Sequence, residues 1–224
     1  MKFRVILSDN PWSFSDNLTM DETKRGADSQ YSTLSIEDLK KLPVKDIAED
    51  DSVLILWCPS THLQEGLDVM KAWGLRQTQT HIWVKTKKFH LKELCKSIIK
   101  WSKSDNKEIS IEDILKRFDL NDILAFKMGR LFRGTHELAL VGVRGKVYKH
   151  LANKSQRSVH FFPATKHSEK PEILHDMLDK MFPAGNKLEL FARRNRSGYV
   201  CVGNESPNTF GEDIRISIDR LKNT

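Results

Sequence analysis

The sequence predicts an α/β fold with a mostly parallel, doubly wound sheet. Short apolar runs rich in branched residues alternate with segments whose apolar residues recur every three or four positions. This alternation is typical of parallel strands joined by crossover helices. The 224 residues suffice for one such domain with a sizeable core. Apolar residues make up 39% and charged residues 30%, which indicates a folded globular chain.

The first half of the chain carries clear strand and helix signals. A buried strand is expected over 3–7, an apolar run that ends in a polar turn. The polar stretch 13–31 has no period, so it is expected to be a long loop. Ser35 is expected to cap a helix, with Asp38 in the capping-box position where Glu or Gln is usual. The later elements are a strand over 53–57, a helix over 61–73 that Gly74 ends, and a strand over 80–84.

A small helical insert is predicted at about 88–127, inside a single domain that spans 1–224. The alternation of strands and helices breaks there, and apolar residues recur at helical spacing. Ser110 opens a further helix that runs through Phe118. The insert is rich in lysine, so it is a candidate for gripping a nucleic-acid duplex or choosing a sequence. A helical cap without a binding role explains it equally well.

The alternation resumes after the insert. Strands are predicted over 138–143 and 159–162, and a helix follows Pro171 with its apolar residues on one face. Two last strands are expected over 188–191 and 199–202. These elements complete the predicted sheet.

Several functional classes lose their support in the sequence. No G-x-G-x-x-G follows the first strand, and no P-loop, H-E-x-x-H or Ser/His/Asp arrangement is evident. Cys58, Cys95 and Cys201 lie far apart, which argues against disulfides or a zinc site and fits a reducing cytoplasm. No apolar run is long enough to span a bilayer, and the N-terminus lacks a signal-peptide layout. We therefore expect a cytoplasmic protein without a metal or a membrane partner.

The formal net charge of +7 is spread unevenly along the chain. One basic group lies within 85–103 and a second within 130–157. Such clusters suit a phosphate backbone, although a well-solvated surface gives the same pattern. Charge alone therefore favours a nucleic-acid partner only weakly.

The turn 9–12, Asp-Asn-Pro-Trp, is the most informative segment. It follows the first strand directly, and ligands of open α/β sheets bind at the carboxyl ends of strands. A carboxylate and a backbone carbonyl together can accept both hydrogens of an aromatic amino group, while a flat indole can stack on a base. The alternative is a plain turn in which Asp9 caps backbone amides and Trp12 belongs to the core.

Further segments follow this turn in a specific order. They are Q-Y-S-T-L-S at 30–35, L-I-L-W-C at 54–58, W-G at 73–74, W-V-K-T at 83–86, R-G-T-H-E at 133–137, L-V-G-V-R-G at 140–145, H-S-E-K-P at 167–171, E-L-F-A-R at 189–193 and G-N-E at 203–205. In order and spacing the chain resembles the adenine amino-methyltransferases built around a D-P-P-W motif. That family includes the eukaryotic mRNA adenosine methyltransferase and many phage and bacterial DNA adenine methylases.

The resemblance implies a Rossmann-like methyltransferase fold that uses S-adenosylmethionine. The catalytic turn would comprise Asp9, Asn10, Pro11 and Trp12. The cofactor-binding residues would be Lys170 at the methionine carboxylate and Arg193, Asn204 and Glu205 at the ribose and nearby groups, with Asp213 and Ile214 covering the cofactor's adenine. The substrate-binding residues would be Tyr31, Lys24, Arg25 and Arg133. For 213–216, a plain C-terminal strand is an equal alternative, and the pair His136 and Glu137 is expected to orient a loop.

Asn10 is where the chain departs from the pattern, since the family has proline there. Asparagine adds a hydrogen-bond donor and loosens the turn. We expect methylation of adenine in DNA, by base flipping and direct in-line transfer, in a bacterial or phage-infected cell and by a monomer or homodimer. Methylation of RNA and a non-catalytic nucleic-acid-binding subunit remain as alternatives.

Overall fold

A computed structural model describes residues 1–13, 34–88, 90–104, 110–117, 120–126, 131–164 and 169–224. Nearly all of the predicted loop 13–31 therefore lies outside the described residues, and Phe118, the predicted end of a helix, does too. The part of the chain that is described includes no helix long and apolar enough to cross a membrane.

Seven strands of the described residues form one sheet. They are β1 (Phe3–Asp9), β2 (Ala48–Cys58), β3 (Arg76–Thr86), β4 (His136–Arg144), β5 (Val159–Pro163), β6 (Lys187–Leu190) and β7 (Val200–Val202). Their order is β5-β3-β4-β2-β1-β6-β7. β1 pairs in parallel with β2 and β6, β6 with β7, and β3 with β5, whereas β4 runs antiparallel to β2. The predicted α/β class with a mostly parallel sheet is confirmed.

The chain divides into two compact units. The first comprises Met1–His81, Leu138–Gln156 and His175–Thr224, and the second comprises Ile82–Glu137 and Arg157–Leu174. The single domain over 1–224, with an insert at about 88–127, stays a prediction.

Helices pack against the sheet in the first unit. Its helices are α1 (Ile36–Lys41), α2 (Val44–Ile47), α3 (Leu63–Ala72) and most of α6 (Ile173–Met181), followed by α7 (Ile214–Lys222). In register, Ile6 of β1 lies between Leu54 of β2 and Leu188 of β6, and all three are buried in one core cluster. The indole N–H of the fully buried Trp73 donates to the Leu39 carbonyl at 2.8 Å, which ties α1 to the end of α3.

Local capping chemistry explains where the short helices begin. The Ser35 hydroxyl accepts the Asp38 backbone N–H at 3.1 Å and donates to its carboxylate at 2.7 Å. This reciprocal pair satisfies a helix-end donor, as the sequence predicted. Ser110 makes the same pair with Asp113 at the start of α5.

The C-terminal strand considered for 213–216 is wrong, because this segment begins helix α7. The Asp213 carboxylate caps the helix by accepting the Arg215 N–H at 2.8 Å. Ile214 and Ile218 lie four residues apart and are both buried, so the apolar period is helical. The alternation over four residues was too short to distinguish a strand from a helix.

The second unit contains α4 (His90–Ser104) and α5 (Ile111–Arg117), which confirms that helices form in this stretch. The carboxyl half of β3 pairs with β5, from Ile82 opposite Val159 to Thr86 opposite Pro163. A short 3₁₀ turn, Leu120–Ile123, follows α5. Lys87 N–H donates to the Ile123 carbonyl at 2.9 Å, which anchors this turn beside β3.

Candidate functional site

Asp9 ends β1, the strand between β2 and β6, so its side chain lies at the carboxyl edge of the sheet. It pairs in register with Trp57 of β2 and is partly exposed. Glu189 of β6 is paired with Leu7, two residues before Asp9. Because side chains alternate along a strand, Asp9 and Glu189 project from the same face of the sheet. The structure therefore places two carboxylates on one face near the expected ligand edge.

Three hydrogen bonds hold the turn after Asp9. The Trp12 backbone N–H donates to the Asn10 carbonyl at 2.9 Å, and the Leu34 N–H donates to the Pro11 carbonyl at 3.1 Å. The Trp12 indole N–H donates to the Trp57 carbonyl at 3.0 Å. A carbonyl oxygen has two lone pairs, so the Asn10 carbonyl retains acceptor capacity beside Asp9.

Trp12 is an anchor of this turn inside the core of the first unit. Only 4% of the residue is exposed, and its ring centroid lies 5.9 Å from that of His62 with a tilt of 45°. The described geometry matches the alternative in which this tryptophan belongs to the core. Stacking of Trp12 on a base stays a prediction.

Asn10 is almost as deeply buried as Trp12. Its residue is 4% exposed, and its side-chain oxygen accepts the hydroxyl of the fully buried Ser8 at 2.6 Å. The side-chain nitrogen of Asn10 has no hydrogen-bond partner. The position at which the chain departs from the D-P-P-W pattern thus carries a buried side-chain donor without a hydrogen-bond partner.

The backbone folds tightly where β6 and β7 end. Phe191 adopts a φ of 59°, a left-handed conformation that few residues other than glycine adopt. Ala192 N–H then donates to the Val202 carbonyl at 3.0 Å. A Cβ on Gly203 would lie 2.5 Å from the Ala192 carbonyl oxygen, so only glycine fits here.

Three of the predicted cofactor residues, Arg193, Asn204 and Glu205, lie on these two loops. Arg193 Nε is 3.7 Å from a Glu205 carboxylate oxygen, and both side chains are exposed. Asn204 is exposed, and its backbone carbonyl accepts the Gly211 N–H at 2.9 Å. The structure thus brings Arg193 and Glu205 together, with polar oxygens of the kind that a ribose diol requires.

Asp213 and Ile214 have structural tasks in α7. Asp213 caps the helix and pairs with the Arg215 guanidinium at 3.2 Å. Ile214 is 6% exposed and packs in the core of the first unit. Contact of these residues with a cofactor adenine stays a prediction.

Two lysines of the second unit share one carboxylate. Lys170 Nζ lies 3.4 Å from one oxygen of Glu137, and the buried Lys85 ammonium pairs with the other oxygen. Lys85 also lies over the Trp83 ring, 5.0 Å from its centroid. The two ammonium groups thus converge on the Glu137 carboxylate, and an ammonium can also bind the carboxylate of a ligand.

Lys85 was not predicted to be a site residue, and Glu137 was expected to orient a loop. Lys85 lies in the segment W-V-K-T and Glu137 in the segment R-G-T-H-E, both of which contribute to the family resemblance. Their place in these segments was the sign that could have marked them as site residues. A lysine inside a strand pattern was the further sign of a buried ion pair. Arg133 belongs to the same unit and is exposed. The other predicted substrate residues, Lys24, Arg25 and Tyr31, lie outside the described residues.

His175 is a further polar residue that sequence reasoning missed. Its Nε2 lies 3.0 Å from a Glu189 oxygen, and both side chains are largely buried. The glutamate interrupts an apolar strand, and that break in the pattern could have indicated a buried polar contact. Among the described residues, no group of three or more His, Cys, Asp or Glu side chains is arranged to hold a metal ion.

The mostly parallel sheet, with a carboxylate-bearing turn at the carboxyl end of a central strand, defines a Rossmann-like methyltransferase fold. The family model MT-A70 matches residues 3–105 and 96–205. The chain belongs to the MT-A70 family of S-adenosylmethionine-dependent N6-adenine methyltransferases.

Relatives of two kinds match nearly the whole chain. The type II methyltransferase M.MunI of a Mycoplasma species is 25% identical, over 92% of this chain and 79% of that protein. The N(6)-adenosine-methyltransferase catalytic subunit METTL3 of Homo sapiens is 23% identical, over 91% of this chain and 28% of that protein. An MT-A70-like N(6)-adenosine-methyltransferase of Arabidopsis thaliana is 23% identical, over 91% of this chain and 24% of that protein.

Proposed function

We propose that this protein methylates the N6 amino group of adenine in DNA. The observation that carries the proposal is the turn after β1, where the partly exposed Asp9 is followed by an Asn10 carbonyl with acceptor capacity left. An adenine amino group has two hydrogens, and these two acceptors match them. Accepting both hydrogens increases electron density on the nitrogen that must attack a methyl group.

The chain contributes positioning and acceptors to this reaction. Bound S-adenosylmethionine supplies an electrophilic methyl group on a sulfonium. The amino nitrogen would take that methyl group, S-adenosylhomocysteine would leave, and the proton that the nitrogen loses would pass to solvent. Asp9 and the Asn10 carbonyl hold the amino group in line and stabilise the positive charge that develops on nitrogen. Flipping the base into the site costs a few kcal/mol of stacking and pairing.

The roles of the other residues are part of the proposal. Lys170, which shares the Glu137 carboxylate with Lys85, would receive the methionine carboxylate of the cofactor. The ribose and adenosine portion is assigned to Arg193, Asn204, Glu205, Asp213 and Ile214. Nucleic-acid contacts are assigned to Lys24, Arg25, Tyr31, Trp12 and Arg133.

The preference for DNA is supported by how the relatives match. The chain spans 79% of the type II methyltransferase but only about a quarter of the N(6)-adenosine-methyltransferases, and type II methyltransferases modify DNA. The protein would act in the cytoplasm of a bacterium or of a phage-infected cell, as a monomer or homodimer.

Methyl transfer from labelled S-adenosylmethionine to duplex DNA, single-stranded DNA and RNA tests the substrate. We expect label on N6 of adenine in DNA. Label found on RNA alone would contradict the proposal. Calorimetry with the cofactor accompanies this assay, because a chain that binds no S-adenosylmethionine would instead be a non-catalytic subunit.

The variant Asp9→Ala tests the catalytic turn. It removes one of two acceptors, so we expect turnover to fall by at least 100-fold, the lower range for loss of a preorganised polar contact to the transition state. Cofactor affinity by calorimetry should stay within about threefold, because Lys170 and the loops after β6 and β7 are unchanged. Asp219→Ala removes an exposed carboxylate on α7 and is the matched control. Normal turnover of Asp9→Ala would refute the role of Asp9.

A further inference from the structure

A half-buried histidine, His62, contacts the chain where it leaves the turn at 9–12. It ends the short 3₁₀ turn Ser60–His62, which follows β2 at the carboxyl edge of the sheet. Its Nε2 lies 3.0 Å from the Ser13 carbonyl oxygen, and its Nδ1 lies 2.9 Å from the Thr61 hydroxyl oxygen. Both nitrogens of the ring therefore have a hydrogen-bond partner.

These partners determine which ring nitrogen carries the proton. A backbone carbonyl can only accept, so Nε2 carries the hydrogen that bonds to Ser13. In the neutral ring Nδ1 is then an acceptor, and the Thr61 hydroxyl donates to it. The two bonds fix the orientation of the ring, so its donor is aimed at Ser13 before any substrate arrives.

The backbone of His62 is held as firmly as its ring. Its N–H donates to the Pro59 carbonyl at 2.9 Å, and its carbonyl accepts the Cys58 thiol at 3.1 Å. Burial raises the pKa of that thiol to about 12, so the thiol keeps its proton at neutral pH and can donate it. His62 is therefore a rigid extension of the end of β2.

Trp12 connects this rigid histidine to the proposed catalytic carbonyl. Its backbone N–H donates to the Asn10 carbonyl at 2.9 Å, and its indole N–H donates to the Trp57 carbonyl at 3.0 Å. Its ring centroid lies 5.9 Å from that of His62. Because Ser13 follows Trp12 directly, loss of the bond to His62 releases the chain beside Trp12. A shift of Trp12 changes the direction of the Asn10 carbonyl that it bonds.

We propose that His62 is a positioning residue for methyl transfer, which holds the Ser13 carbonyl and thereby sets the direction of the Asn10 carbonyl towards the adenine amino group. The role rests on the proposed function and deepens it, because it requires that this carbonyl accepts an N6 hydrogen. His62 itself touches neither the base nor the cofactor. A small misplacement of a catalytic group slows the chemical step.

Kinetics of His62 variants on a duplex with a mapped methylated adenine test this role. We expect His62→Ala to lower kcat about tenfold, since a misplacement of about 1 Å costs up to about 100-fold. The KM for DNA and the calorimetric affinity for S-adenosylmethionine should each stay within about threefold. His150→Ala should leave kcat unchanged and is the matched control, because His150 is another partly exposed histidine of the first unit, 3.8 Å from Asp51.

Two amide variants isolate the hydrogen bond to Ser13. His62→Gln places an amide N–H close to the position of Nε2, so kcat should return to within about threefold of the wild type. His62→Asn places its amide near Nδ1 and is too short to reach Ser13, so it should be as slow as the alanine variant. Thermal unfolding verifies that each variant is folded, and the two amide variants give the same comparison should the alanine variant unfold.

The results separate this role from the proposed function. A normal kcat for His62→Ala, or equal losses in the glutamine and asparagine variants, would overturn the role of His62 and leave adenine methylation standing. A loss confined to KM or to cofactor affinity would do the same, because a positioning residue acts on the chemical step. A wild-type protein that methylates no nucleic acid would overturn both proposals.

Discussion

Gly203 shows how closely two backbone segments approach in the loop that bears Asn204 and Glu205. A Cβ there would lie 2.5 Å from the Ala192 carbonyl oxygen and 2.6 Å from its nitrogen. Backbone atoms of a sheet end cannot move aside as a flexible side chain can. The glycine therefore permits the contact between the loops after β6 and β7.

We predict that Gly203→Ala lowers the free energy of unfolding by about 1–3 kcal/mol, because the added methyl overpacks a rigid backbone contact. Gly134→Ala is the matched control, since a Cβ at Gly134 meets nothing within 4 Å. Urea denaturation of both variants measures the difference. Equal stabilities of the two variants would show that the segments around Ala192 can separate without cost.

At the scale of elements, a network of charges joins α6 to β6 and the loop before β7. Lys187 of β6 pairs with Asp179 of α6 at 2.5 Å, and Arg196 bonds Asp176 at 2.7 Å and Asp179 at 3.4 Å. The buried Tyr199 ring lies 5.6 Å from the Lys187 ammonium and 5.7 Å from the Arg196 guanidinium. Aromatic and ionic contacts together fix the helix against the sheet.

This network makes stability depend on pH in the acid range. Burial raises the pKa of the Asp179 carboxyl, but the Lys187 and Arg196 groups outweigh it, so the pKa lies below its ordinary value of 3.8. A lowered folded-state pKa means that the unfolded chain binds the proton more readily. The stabilisation is therefore complete above pH 3.8 and is lost as pH falls through the folded-state pKa.

We predict that Asp179→Asn lowers the melting temperature at pH 7 and that the gap to the wild type narrows as pH falls below 3.8. Asp219→Asn is the control, because it removes the same charge from an exposed carboxylate on α7. Melting followed by circular dichroism from pH 7 to pH 3 gives the comparison. A gap that widens on acidification would contradict the assigned direction of the pKa shift.

At the scale of the whole molecule, the net charge of +7 bears on the proposed DNA substrate. Lysine and arginine that neutralise phosphates release condensed counterions, so affinity falls as salt rises. We predict that the logarithm of the DNA association constant falls linearly with the logarithm of salt concentration, with a slope of several units. Fluorescence anisotropy with a labelled duplex measures this slope. An affinity that does not change with salt concentration would contradict binding through the DNA phosphates.

The family, the fold class and the position of the turn at 9–12 follow from the sequence alone. Apolar periodicity is a local property, so it identified strands and helices, and the Ser35 and Ser110 caps set where helices begin. The turn at 9–12 could be placed at a sheet edge because it follows a strand directly.

Only the tertiary structure decided which side chains of these motifs are buried and what they contact. It placed Trp12 in the core, left the Asn10 amide without a partner, joined Lys170 and Lys85 on Glu137, and made 213–216 a helix cap and core contact. Burial and pairing depend on residues far apart in the chain, and a local pattern carries no information about those neighbours. The sequence was enough to propose a role for the turn, whereas its hydrogen bonds could be assigned only from the folded structure.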